Sequence, residues 1–74
     1  MNRIFKKTDR ITGEISYLRE RKTTTYTQLF WTTERSKARI ITDNDKGNFS
    51  FWEKLNRLER ECYILGHETV FVEV

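Results

Sequence analysis

Over the first third of the chain, apolar and polar residues alternate with a period of two. Over part of the last third, apolar residues recur every three or four positions, so strands are expected early and a helix late. RIFKKT, residues 3–8, reads as a short strand, with Arg3, Phe5 and Lys7 on one face. DRITGE follows as a hairpin turn. Asp9 can bond the turn backbone, and Gly13 can take the left-handed conformation that sends the chain back. The return strand is EISYLRE. It places Ile15 and Tyr17 on one face and Ser16 and Leu18 on the other, and ERKTT connects it onward.

TYTQLFWT, residues 25–32, is rich in threonine and aromatics, which favour a pleated strand over a helix. Its even positions hold Tyr26, Gln28 and Phe30, and its odd positions hold Leu29 and Trp31, so both faces carry rings. TERSK turns the chain. ARIIT reads as a further strand, with a short helix over residues 34–41 as the competing expectation. TDNDKGN is expected to be a loop.

A helix is expected from Phe51 to Leu65. Ser50 is its cap and Glu53 completes a capping box. Phe51, Leu55, Leu58, Cys62 and Leu65 form one apolar stripe, Glu53, Arg57 and Glu61 run along the opposite side, and Gly66 stands where a left-handed C-cap belongs. TVFVEV alternates as a last strand. The expected fold class is α+β: a small antiparallel sheet of four to five strands with one helix from the C-terminal half packed on one face, in the order β-β-β-β-α-β.

Length and composition narrow the chemistry. At 74 residues one domain, 1–74, is the expectation. One cysteine and one histidine leave no route to an internal disulfide or to a four-ligand Cys/His zinc site. DNDKGNFSFWE has the look of a calcium loop. With Gly47 and Glu53 in register, however, Thr42, Asn44 and Lys46 fall at the first three ligand positions, and a lysine there is repulsive. No metal and no cofactor are expected. Cys62 lies on the apolar stripe and His67 lies just past the helix end, an arrangement that does not pair a nucleophile with a base, and the chain is expected not to be an enzyme. No apolar run approaches the length of a membrane span, and MNRIFKKTDR has charge without the apolar core of a secretory signal. A cytoplasmic protein is the expectation.

Charge changes the picture most. The net charge is +3, but residues 1–39 balance to +6 and residues 40–74 to −3. A basic N-terminal half with interleaved aromatics points to an anionic partner. If the helix covers the face of Leu29 and Trp31, the open face shows Tyr26, Gln28 and Phe30. Tyr17 with Arg19, and Arg3 with Phe5 and Lys7, join that face if the strands align. The candidate nucleic-acid or partner-binding residues are Arg19, Lys22, Tyr26, Phe30, Arg35, Lys37 and Arg39. Trp52 and Tyr63, beside the helix stripe, form a second candidate patch. The leading expectation is a small binding module for nucleic acid. The alternative is a protein-binding regulator or inhibitor of the phage or mobile-element type, acting on a larger protein or nucleic-acid enzyme, with a homodimer as one form of self-association.

Overall fold

The computed structural model describes all 74 residues. Strands β1 (Arg3–Asp9), β2 (Ile15–Lys22) and β3 (Thr27–Thr32) precede helix α1 (Phe49–Ile64), and β4 (His67–Glu73) ends the fold. The four strands form one antiparallel sheet in the order β3-β2-β1-β4. The α+β architecture follows the sequence expectation. No helix is long and apolar enough to cross a membrane.

The β1–β2 turn is built as its residues dictate. Asp9 Oδ1 accepts from the backbone of Ile11 at 2.8 Å and of Thr12 at 3.1 Å, and Gly13 has φ +76°. Those two N–H groups hold the partly buried Asp9 carboxyl below its ordinary pKa. Gly66, at φ +82°, ends α1 and releases β4 back along β1.

Register decides the faces. Lys6 sits opposite Tyr17 and Val70, Leu18 opposite Trp31, and Phe5 opposite Phe71. Phe5, Leu18, Leu29, Trp31 and Phe71 therefore share the face under α1. There Phe5 and Leu18 join Ile41, Phe51 and Leu55 in the buried core, with Leu29, Trp31, Trp52, Leu58 and Phe71 packed around it. Phe5 and Phe71 rings lie 4.8 Å apart, and the Lys7 ammonium caps the Trp31 ring at 4.6 Å.

The expected fourth strand before the helix is not a strand. Residues 35–37 form one 3₁₀ turn and residues 43–45 another. Between them the chain wedges in where β1 and β2 part. Arg3 and Ile41 exchange backbone hydrogen bonds of 3.0 and 2.7 Å, and Arg39 donates to the Leu18 carbonyl at 2.7 Å. Only this bridge forms, because Thr42 already begins the next turn: its Oγ1 accepts from Asn44 N–H, and its own N–H donates to Asp45 Oδ2 at 2.9 Å. The order is thus β-β-β-α-β.

Helix α1 starts two residues before the expected Phe51. Asn48, not Ser50, is the cap, and its Oδ1 accepts from Phe51 N–H at 3.2 Å. Asn caps as well as Ser, and Trp52, the fourth residue of the helix, anchors this start by donating its indole N–H to the Asp45 carbonyl at 2.7 Å. The Glu53–Arg57 pair forms at 3.7 Å on the exposed side. The apolar stripe ends at Cys62, which is buried, whereas Leu65, the C-cap residue, is 71% exposed.

Candidate nucleic-acid interface

The face away from α1 carries Ile4, Lys6 and Thr8 from β1, Ile15, Tyr17, Arg19 and Arg21 from β2, and Gln28, Phe30 and Thr32 from β3. From β4 come Glu68, Val70 and Val72. Arg19 lies directly opposite Phe30 and Arg21 opposite Gln28. Both guanidinium groups sit over the Phe30 ring, at 5.5 and 5.6 Å from its centroid. The 3₁₀ turn at residues 35–37 brings Arg35 to 5.8 Å from the Tyr17 ring. Ala38 and Ile40 then gather beside Ile4, which is buried although it is on the open face.

None of Lys6, Arg19, Arg21 and Arg35 makes an ion pair. The one carboxylate the strands place on this face, Glu68, is taken by Arg10 at 3.4 Å. Four cations with free hydrogen-bond donors thus surround two half-buried rings. A guanidinium held over a ring keeps its donors for phosphate and offers its plane for stacking.

The structure gathers some of the sequence candidates here and disperses others. Arg19, Phe30 and Arg35 belong to the open face. Tyr26 falls in the β2–β3 turn, 58% exposed, with its N–H donating to Thr23 Oγ1. Lys22 ends β2 on the helix side and lies 3.8 Å from Glu20. Lys37 pairs with Glu34 at 3.4 Å. Arg39 lies beneath the sheet. It is bound to Asp45 by two hydrogen bonds and to Glu20 by one, with its guanidinium 4.6 Å from the Phe51 ring. Arg3, Phe5 and Lys7 also take the helix side, since Phe5 is the large apolar residue of β1 and its parity carries the other two with it.

Trp52 and Tyr63 do not form one patch. Trp52 packs at the margin of the core against Phe51 and Phe71, whereas Tyr63, eleven residues on, is 73% exposed near the other end of the helix. Tyr17 takes the open-face place expected for it beside Arg19, and Lys6 and Arg21 are open-face cations that the sequence reading did not single out. The period-two pattern Tyr17, Arg19, Arg21 is the signal that finds Arg21.

What fold and site define is a small α+β module with one sheet face left open, aromatic at its centre and basic around it. Comparison with protein-family models, with curated proteins and with solved structures found no match.

Proposed function

We propose that this chain is a small, non-catalytic binding module that takes nucleic acid on the open face of its sheet. The observation that carries the reading is the cluster around Phe30: Arg19 and Arg21 both lie over its ring, and neither has a carboxylate partner. Rings and guanidinium planes on a shallow sheet stack on splayed bases, while the free donors hold phosphates. Single strands fit such a face better than a duplex, whose bases are already stacked. The test is a titration with labelled single- and double-stranded DNA and RNA at ~50 and ~200 mM salt. If Lys6, Arg19, Arg21 and Arg35 each neutralise one phosphate of a single strand, affinity falls about 50-fold between those salts. Absence of binding at the lower salt defeats the reading.

A second reading rests on a separate observation. Tyr63, Ile64 and Leu65, at the end of α1, are 73%, 76% and 71% exposed. Consecutive large apolar residues in water suit contact with another protein, and a regulator or inhibitor of the phage or mobile-element type would use them against a larger protein or nucleic-acid enzyme. Capture of such a partner, lost in Tyr63→Ser, by a protein that leaves nucleic acid unbound would favour this reading.

A further inference from the structure

The sheet has two edges, and they differ. At β3, the Lys54 ammonium donates to the Thr27 carbonyl at 2.8 Å and caps that border. At β4 nothing equivalent occurs. The β1–β4 ladder is continuous from Arg3↔Glu73 to Asp9↔His67, without a bulge, and the chain has no proline. Val74 donates to the Asn2 carbonyl, and Arg10 donates to that of Gly66. The even-numbered residues of β4 therefore face β1, and the alternation of an antiparallel ladder turns the N–H and C=O groups of His67, Thr69, Phe71 and Glu73 outward. Such an edge is a template for another strand.

Nothing charged beside this edge opposes a second copy. A groove of about 730 Å³ runs beside it, between β4 and the second half of α1. Its charged side chains are two bases, Arg10 and Arg60, and two acids, Glu59 and Glu68. Arg10 and Glu68 already pair with each other at 3.4 Å, so the groove holds no excess of one charge that would repel a second copy. Outward groups on alternate residues allow only registers that pair odd positions with odd. Among these, the one centred on Val70 pairs the complete strand: His67 with Glu73, Thr69 with Phe71, and Val70 with Val70 of the second copy. It sets no carboxylate opposite another, and it joins the exposed Val70 side chains, each 51% accessible in the single chain.

We infer that β4 pairs with β4 of a second copy about a two-fold axis at Val70, making one eight-stranded sheet. The dimer is independent of the nucleic-acid reading. It would set two basic, aromatic patches on one continuous face, with their β2 strands about 24 Å apart at the ~4.8 Å strand spacing.

Residues opposite one another at a non-hydrogen-bonded position have Cα atoms about 4.5 Å apart, within disulfide reach. Val70→Cys therefore crosslinks to itself on mild oxidation, far faster than Ile15→Cys, which is on the same face but distant from the edge. Sedimentation equilibrium of the native chain from about 10 µM to about 1 mM shows a mass rising from 9.0 kDa toward twice that value. Val70→Glu, which faces Lys6 within its own chain, places like charges across the axis and holds the mass at that of one chain. A native mass that stays at 9.0 kDa throughout overturns the inference, as does equal crosslinking at the two cysteine positions. Efficient crosslinking only in a Val70→Cys/Val72→Cys pair overturns the Val70-centred register.

Discussion

Arg39 holds Asp45 with both arms of its guanidinium: Nη1 donates to Oδ2 at 2.9 Å and Nη2 to Oδ1 at 2.7 Å. Its Nε adds Glu20 Oε1 at 3.3 Å, and the three side chains are 16%, 11% and 11% exposed. The triad ties the wedge of chain between β1 and β2 to β2 itself and to the turn that starts α1, beside the core contacts of Ile41. Removing the cation leaves two sheltered carboxylates with only Lys22, 3.8 Å from Glu20, and the Thr42 N–H on Asp45 to offset them. Arg39→Ala should destabilise the fold by about 2–3 kcal/mol, and Arg39→Lys by about 1 kcal/mol because an ammonium cannot reproduce the fork. Urea midpoints measure both.

The same pair sets a response to acid. The hydrogen bonds from Arg39 hold the Asp45 carboxyl below its ordinary value near 3.8, against the opposing effect of burial. A carboxyl depressed in the folded state stabilises the fold above its unfolded value, and that contribution is lost as pH falls through the folded value. Stability should therefore decline below about pH 4. Asp9, depressed by its own turn, contributes in the same window. The difference in urea midpoint between the native chain and Asp45→Asn isolates Asp45: it should be large at pH 6 and shrink at pH 3.

On the open face, Phe30→Ala and Tyr17→Ala should each weaken single-strand binding by about 10- to 100-fold, the loss of one stacked base. Arg19→Ala with Arg21→Ala should weaken it and also lower the salt slope by about 1.4. Arg39→Lys should leave the slope unchanged, since Arg39 is spent beneath the sheet. Fluorescence anisotropy across a salt series reads all of these.

Gly66 has open space around it, yet its φ of +82° disfavours any side chain. Gly66→Ala should cost about 1 kcal/mol through backbone strain alone. A steeper loss, or none, in chemical denaturation would contradict the left-handed cap.

Burial raises the Cys62 thiol above its ordinary pKa, with the nearby Lys7 opposing. Little thiolate is present at neutral pH. Labelling by a thiol reagent should be slow in the folded protein and become fast in denaturant, with the rate reporting opening of the helix against the sheet.

Part of the interface was legible in the sequence. Arg19 and Phe30 follow from alternation, and the same parity along β2 adds Tyr17 and Arg21. Arg35 keeps its place because the turn after β3 folds back over Tyr17. Lys22, Lys37 and Arg39 share the basic composition of that half of the chain, but their charges are met by Glu20, Glu34 and Asp45. Arg39 reaches six residues to Asp45 and nineteen to Glu20, and composition does not reveal which cation finds an acid.

By itself, the sequence determined the elements whose causes are local. The Asp9 and Gly13 turn, the strand periods, the helix stripe from Phe51 to Cys62 and the Gly66 stop each depend on residues a few positions apart, within reach of one turn or one pleat. Only the tertiary structure decided which side of each strand met the helix, that Ile41 would bridge to Arg3 instead of extending a strand, and that β4 would become an edge. Those outcomes rest on pairing register and on competition among distant segments for one small core. A shift of one residue between β1 and β2 would have put Lys6 under the helix and Phe5 in the open.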